Sequence, residues 1–233
     1  MAYGLIELLF EQDLFAKDVK PIINDWVKDL NTLCNDVKDQ KIKDVVFQAK
    51  LEELYKRVNL KELIKFVELD RIVKRTKLPD NGARSTGVNL SKVEGLPKLL
   101  RFGKQIFCLK KGRSIVPHGH TNMCTGFIIL RGEFHGRYYD RVEENKDHYL
   151  IKPTIDRQFK PGEFSTISDH KDNVHWFKAT SETGYVFNVH VLGVDPKRTR
   201  TGRVYVDPEG EKTKDGLILA KKMSSKACHK KYG

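Results

Sequence analysis

The stretch of sequence that decides the fold of this 233-residue chain is GRSIVPHGHTNMCTGFIILRG, residues 112–132. Its apolar run is bounded by glycines, which is typical of a β-strand between turns. His118 and His120 are two positions apart, and side chains at that spacing lie on one face of a strand. Pro117 precedes them, as expected at the end or edge of a strand. The pattern therefore predicts two imidazoles close enough to bind one metal ion.

A third imidazole would complete a metal site with open positions for a substrate, and His175 is the best candidate. It begins an apolar β-type run after a turn-rich loop. His190 lies on the next run, where strand alternation places it on one face with Asn188 and opposite Phe187. His170, in a charged loop, is a weaker candidate. If His175 is not the third ligand, His170 or His190 takes its place.

Residues 1–80 are predicted to be helical. Apolar positions recur three and four residues apart with charged residues between them, which is the amphipathic pattern. The apolar stripes are Leu5, Leu8, Leu9 and Phe15; Ile22, Ile23, Trp26, Leu30 and Leu33; Val45, Val46, Leu51, Leu54 and Tyr55; and Leu60, Leu63, Ile64 and Val67. This region leaves three roles open: a cap, a dimerisation arm or a partner-binding surface.

A turn signal at Pro79–Gly82 opens a segment rich in Gly, Ser and Asn, and residues 81–99 are predicted to be a linker or loop. From residue 100 the apolar period changes to two. Short β-type runs separated by turns then continue over residues 100–209, which predicts an antiparallel sandwich or barrel. Residues 210–233 are predicted to form a basic tail that is irregular or weakly helical. The predicted fold class is α+β.

The formal net charge of +12 arises from residues 81–233, because residues 1–80 are balanced. Such an excess fits a nucleic acid, an acidic lipid or an anionic substrate, and equally a solvated tail. The lysines of the tail have no aromatic residues interleaved among them apart from Tyr232, so a stacking surface for nucleic-acid bases is not favoured. No apolar run of about 18 residues is present, so no membrane span is predicted.

The compartment is predicted from the cysteines and the first residues. None of the four cysteines forms a CxxC pair, and the first residues are acidic where a secretory signal is basic. Free thiols in a reducing compartment are therefore expected, and the predicted location is the cytoplasm.

The region around the two histidines resembles the first motif of the cupin superfamily, G(X)5HXH(X)3–4E(X)6G. Four residues fall at the expected spacing: Gly112, His118, His120 and Gly132. A looser likeness to the second motif starts at Pro161 and Gly162 and reaches His175. The resemblance covers about residues 100–195, and it implies a small jelly-roll barrel with a metal inside its mouth.

The sequence departs from the common cupin pattern at Thr125, which stands where most cupins place a metal-binding Glu. The remaining set is His118, His120 and His175, and it is neutral. Three-histidine cupins similar to the cysteine and thiol dioxygenases share this feature. The full charge of a divalent ion would then remain available to an anionic substrate.

The dioxygenase group also has a Ser-x-His-x-Tyr relay, and the corresponding residues here are Asn188, His190 and Leu192, without the Tyr. The resemblance implies catalytic roles for His190 and Asn188. It does not place the cation that binds the substrate carboxylate.

Four substrate-binding candidates follow: Arg101, Lys104 and Arg137 are chosen from strand location, and Tyr139 is chosen as an aromatic residue expected to line the cavity or the core.

The predicted function is a mononuclear cupin dioxygenase that adds O2 to a small anionic substrate, with a thiol as one option. Neutral imidazole ligands suit Fe(II), and Zn, Ni, Mn and Cu are alternatives. Two other classes stay open: a cupin lyase or isomerase with a redox-inert metal, and a non-enzymatic basic binding module. A second copy of the chain, bound through the N-terminal helices to form a homodimer, is a further expected partner.

Overall fold

The computed structural model describes residues 23–233. Helix α1 runs through residues 23–38, and it is followed by α2 (Asp44–Lys56), α3 (Leu60–Phe66) and α4 (Leu69–Arg75). The strands are β1 (Arg84–Gly87), β2 (Gly103–Lys110), β3 (Ser114–Thr121), β4 (Met123–Arg131), β5 (Phe134–Glu144), β6 (His148–Phe159), β7 (Phe164–Ile167), β8 (Val174–Ala179), β9 (Thr183–Leu192), β10 (Gly202–Lys212) and β11 (Ile218–Lys222). Helix α5 (Ser225–Tyr232) comes last.

The strands pair into two antiparallel sheets. Sheet one has five strands in the order β1-β2-β9-β4-β7, and sheet two closes on itself in the order β10-β11-β6-β5-β8-β3. Non-consecutive neighbours such as β4 and β9 pair along most of their length, as in a jelly roll. The chain is therefore a cupin-like jelly roll preceded by a helical region, which confirms the predicted fold class.

The interior of the jelly roll lies between the two sheets, where alternate residues of facing strands meet. One end of this interior is a cluster of buried apolar and aromatic side chains. The cluster comprises Phe107, Leu109, Ile115, Phe127, Ile129, Phe134, Tyr138, Phe159, Ile167, Phe177, Ala179 and Val186. This apolar cluster packs together the strands that carry the candidate site.

The helices cover the outer face of sheet one and share a core with it, which includes Leu30 and Leu51 from the helices and Ile128 and Val189 from the strands. Gly126 permits this close approach, because a Cβ there would lie 2.5 Å from the Leu51 side chain. The first predicted stripe, Leu5 to Phe15, lies outside the described residues. The predicted domain boundaries stay predictions.

The structure differs from the sequence-based expectation after residue 209. Strand β10 continues to Lys212, and residues 210–233, expected to be irregular or weakly helical, include strand β11 as well as helix α5. The helix agrees with the second of these alternatives, and the strand was not predicted. Strand β11 closes sheet two around a second apolar core that contains Tyr149, Val206 and Ile218. Only two side chains of β11 are buried, so its apolar signal was too short to predict a strand.

The segment expected to be a loop, residues 81–99, also contains a strand. Strand β1 lies at the edge of sheet one and is mostly exposed. Its sequence, RSTG, has no buried apolar face that could predict a strand. All four cysteines are free and buried, as expected for thiols. Over residues 23–233, no helix is long and apolar enough to cross a membrane.

Candidate metal centre

Three histidines from two neighbouring strands converge inside the jelly roll. Strand β3 carries His118 and His120, and strand β8 carries His175 directly opposite His118. The Nε2 atom of His118 lies 3.2 Å from Nε2 of His120 and 3.1 Å from Nε2 of His175. All three side chains are buried, and one ligand atom from each lies within 4.8 Å of the others. The predicted group of three therefore forms.

The local geometry of β3 explains why both of its histidines face inward. The pairing of β3 with β8 shifts register between Ile115 and His118, and this irregularity includes Pro117, which has no N–H for the ladder. Ile115 belongs to the apolar interior, and the shift returns His118 to the same face. His118 Nδ1 lies 2.8 Å from the carbonyl of Val116. When Nδ1 donates this bond, Nε2 keeps the lone pair.

The three nitrogens fit a metal ion better than they satisfy one another. His118 Nε2 has one lone pair, yet it faces two other ring nitrogens. Among the described residues, the Nδ1 atoms of His120 and His175 have no hydrogen-bond partner. Metal–nitrogen bonds are about 2.0–2.1 Å long, so two nitrogens on one ion lie about 3.0–3.4 Å apart. The two observed distances match this range.

Burial keeps the three imidazoles neutral. It lowers the pKa of His118 and of His120 well below the ordinary value of 6.5. Burial, with a smaller contribution from the positive charge of Arg203, lowers the pKa of His175 to about 3. Neutral imidazole is the form that binds metals. The three ring nitrogens are therefore available to a cation at neutral pH.

Thr125, which stands where the resembled cupin motif has a carboxylate, makes two hydrogen bonds through its hydroxyl. It donates to the carbonyl of Val189 at 2.7 Å and accepts from Nδ2 of Asn188 at 2.6 Å. The Oδ1 atom of Asn188 accepts in turn from Gln105 at 3.3 Å. These side chains are uncharged, so the centre has neutral ligands only. Asn188 lies in the interior, fixed by this network.

His190 lies beside the centre but outside the group of three. It pairs with Thr125 across β9 and β4 and with Gly103 across β9 and β2. Its ring rests over Gly103, where a Cβ would lie 2.2 Å from it. The Nδ1 atom is buried and has no partner among the described residues. Burial, then the charge of Arg203, lowers its pKa.

His170, the weaker candidate for the third ligand, lies on the surface. Its Nδ1 atom is 2.6 Å from the carboxylate of Asp44 on helix α2. The structure thus separates His170 from the three converging histidines.

The structure places the four substrate-binding candidates away from the histidines. Arg101 forms an ion pair with Asp39 beneath helix α1. Lys104 pairs with Val189, which faces the helices, so its side chain lies on that outer face.

Arg137 and Tyr139 lie on the face of sheet two that is opposite to the face carrying the three histidines. The guanidinium of Arg137 lies 4.9 Å from the Trp176 ring centre, and Tyr139 belongs to the second apolar core. One position along β5, Tyr138 faces the interior, and its ring centre is 5.9 Å from that of His175. Neighbouring residues of a strand point to opposite faces, and the sequence alone does not show which face of β5 is inside.

Arg203 is a candidate that the sequence pattern did not single out. It lies on β10 directly opposite His120, and its charge lowers the pKa of all four interior histidines. Within residues 23–233 its side chain forms no ion pair or hydrogen bond, and its guanidinium carbon lies 6.0 Å from the Phe107 ring centre. The basic run at residues 197–203 was the available signal, but only strand pairing places it near β3.

No family model matches the chain, and no curated protein matches it. Several solved structures resemble it at low identity. An 11S globulin from Wrightia tinctoria is 16% identical with a TM-score of 0.38, over 57% of this chain and 29% of that chain. An oxalate oxidase is 17% identical with a TM-score of 0.38, over 57% and 61%.

A cupin superfamily protein from Desulfitobacterium hafniense is 14% identical with a TM-score of 0.33, over 50% of this chain and 83% of that chain. The chain thus spans less than a third of the Wrightia globulin. The jelly-roll assignment rests on the strand pairing described above. Fold and site together define a cupin-like β-barrel protein with a candidate three-histidine metal centre.

Proposed function

We propose that this protein is a mononuclear metal-dependent oxygenase that adds O2 to a small anionic substrate. The observation that carries the proposal is the convergence of three buried, neutral imidazoles through their Nε2 atoms. His118, His120 and His175 would hold the ion. Fe(II) bound there would supply the one-electron chemistry that O2 needs to react with a closed-shell substrate.

The charge of the centre favours an anionic substrate. Imidazole ligands leave the charge of a divalent ion uncompensated, and Thr125 brings no carboxylate. Arg203 adds a positive charge opposite His120 and has no partner among the described residues. A guanidinium can bind a carboxylate through two parallel hydrogen bonds. We assign Arg203 to the anionic group of the substrate.

His190 and Asn188 keep the catalytic roles suggested by the sequence, in different forms. His190 has a ring nitrogen without a partner beside the centre, so it is the proposed acceptor or donor of the substrate's proton. Asn188 is held by Thr125 and Gln105, so it acts by fixing the shape of the polar interior. Leu192 replaces the Tyr of the dioxygenase relay, so the relay here ends at His190.

Aromatic side chains would exclude water from the reacting groups. The ring centre of Phe127 lies 6.1 Å from that of His175, and that of Tyr138 lies 5.9 Å from it. Both rings belong to the apolar interior. Electrostatic attraction between the ion and a bound anion is stronger in such a dry setting.

The decisive experiment compares two metal forms of the full chain. Metal-free protein is loaded with Fe(II) or with Zn(II), and O2 uptake is followed with small anionic thiols and with thiol-free carboxylates. Substrate-dependent O2 uptake by the Fe(II) form alone supports the proposal. Equal turnover by the Zn(II) form without O2 would instead identify a lyase or isomerase that uses a redox-inert metal.

The cellular location and the macromolecular partners of the chain are further proposals. Four buried free thiols are consistent with a reducing compartment, which supports a cytoplasmic location. A dimer through the helical region is testable by sedimentation. Nucleic-acid binding that survives the loss of His118 and His120 would favour the non-enzymatic binding module.

A further inference from the structure

Strands β3 and β8 carry all three candidate ligands, and their backbone pairing stops just before His120. The register pairs His118 with His175 and Gly119 with Val174. The next pair would be His120 with Asn173, but β8 begins at Val174. The carbonyl of His120 therefore has no backbone donor from β8.

The side chain of Asn173 supplies the missing donor. Its Nδ2 atom donates to the His120 carbonyl at 2.8 Å and to the Ser168 carbonyl at 3.0 Å. The residue is 1% exposed, so these bonds are shielded from water. A buried amide bonded to two carbonyls is held in one orientation.

Gly119, between the two histidines of β3, makes room for this amide. A Cβ at Gly119 would lie 2.8 Å from Oδ1 of Asn173 and 2.7 Å from the Tyr149 ring. Contacts under 3.0 Å force a neighbour to move, so the close packing of Asn173 on β3 requires glycine at this position. The motif His-Gly-His thus serves both the ligands and the residue that braces them.

The loop that presents Asn173 is itself fixed. Asp172 adopts a left-handed backbone with φ of 52°, which is costly for a residue other than glycine. Its N–H donates to Asp140 at 2.7 Å, and its carboxylate accepts from Thr154 at 2.6 Å. The backbone that leads into His175 is therefore held on both sides.

We propose that Asn173 is a positioning residue of the metal centre, which locks the strand carrying His118 and His120 to the segment carrying His175. This inference rests on the proposed metal centre. Asn173 is two residues before His175 and donates to the His120 carbonyl at 2.8 Å, closer than Nη1 of Arg141 at 3.4 Å. Its side chain therefore links ligands from different strands. Residues that orient ligands in this way affect metal affinity by about 10- to 100-fold.

The test measures cobalt(II) binding to the full chain by chelator competition, for Asn173→Ala and for the isosteric Asn173→Asp. Both variants should weaken binding by about 10- to 100-fold, with the larger loss for Asp, whose oxygen would face two carbonyls. Thr166→Val is the control, since it removes a buried threonine's hydrogen bond to Glu52 on the face of sheet one that packs against the helices, and it touches neither His120 nor the loop before His175. It should stay within about threefold of the unsubstituted chain.

A second readout separates positioning from simple destabilisation. At saturating cobalt(II), the visible absorption bands report ligand geometry, and they should shift in both Asn173 variants but not in Thr166→Val. Unchanged affinity and bands in a folded Asn173→Ala, with cobalt bound by the unsubstituted chain, would overturn the positioning role alone. Absence of cobalt binding by the unsubstituted chain would overturn the metal centre and this role with it. Cobalt binding without O2 uptake by the Fe(II) form overturns only the oxygenase.

Discussion

Two layers of the same jelly-roll interior differ in chemistry although they share strands. In one layer β8 contributes Phe177 and β4 contributes Phe127, and both belong to the apolar cluster. Two residues along those strands, the interior positions are His175 and Thr125. Strand β9 likewise exchanges Val186 for Asn188. A distance of two residues along each strand therefore separates the aromatic core from the polar site.

The two layers make opposite contributions to stability. Burial of a large apolar side chain contributes about 1.5–3 kcal/mol. Burial of a polar group without a partner costs about 1–3 kcal/mol, and the Nδ1 atoms of His120, His175 and His190 have no partner in the described part of the chain. The polar layer is therefore held in place by its aromatic neighbour.

The aromatic layer should show the largest effect when it is broken. Phe177 is fully buried, and its ring centre lies 4.8 Å from Phe127 and 5.0 Å from Phe159. Phe177→Ala should lower the free energy of unfolding of the metal-free protein by about 3–5 kcal/mol, measured by urea denaturation. Val142→Ala, at a half-exposed position of β5, should change it by less than about 0.5 kcal/mol. A loss under about 1 kcal/mol for Phe177→Ala would show that the layer does not support the fold.

The polar layer should instead lose metal when it is broken. His118→Ala, His120→Ala and His175→Ala should each weaken metal binding at least about 100-fold, which is about 2.7 kcal/mol. The cause is the loss of one of three ligands, and metal content after gel filtration measures it. Stability without metal should not fall as it does for Phe177→Ala.

The control for the ligand variants is His170→Ala, which removes a surface imidazole and should leave metal content unchanged. Full metal occupancy in His175→Ala would instead mean that another imidazole, His190 first, is the third ligand.

Patterns within single strands were enough to predict the three histidines of the centre. His118 and His120 share a face because they are two apart on one strand, and His175 was recognised because it opens the next long apolar run after a loop. The resemblance to the cupin motif, rather than spacing alone, identified Thr125 as standing where most cupins have a carboxylate.

The residues that sequence reasoning missed depend on pairing between distant strands. Arg203 and Asn173 reach His120 only through the register of β10 and β8, which no local pattern encodes. Tyr138 was not among the candidates although it faces the interior, because alternation along a strand does not reveal which face is inside. The pairing of β5 with β6 also shifts register between Tyr138 and Tyr139. Strand β11 was missed because most of its side chains are polar or exposed.

Gly103, on β2, allows a test of the contact between that strand and His190 of the polar layer. A Cβ there would lie 2.2 Å from the His190 ring, so Gly103→Ala must displace that ring. The expected loss of stability is about 1–3 kcal/mol, measured by urea denaturation. Metal content should persist, because the three ligands lie on β3 and β8, while O2 uptake should fall. Full O2 uptake together with a displaced ring in a crystal structure would remove His190 from the proposed reaction.

Arg203 gives the smallest and most selective effect, because it is not one of the three candidate ligands and its guanidinium carbon lies 6.0 Å from the ring centre of Phe107, a member of the apolar layer. Arg203→Gln keeps a polar side chain, although a shorter one, and removes the charge opposite His120. KM for an anionic substrate should rise about 10-fold, or about 1.4 kcal/mol, with kcat nearly unchanged, since the lost contact binds substrate and transition state equally. Added salt should raise KM of the unsubstituted chain and affect the variant less, because salt screens the removed charge. Lys104→Gln is the control: it also removes one positive charge, but from β2 of sheet one and on the face that packs against the helices, so KM should not change. Equal increases of KM in both variants would mean that the basic surface attracts the substrate as a whole and that Arg203 has no special role.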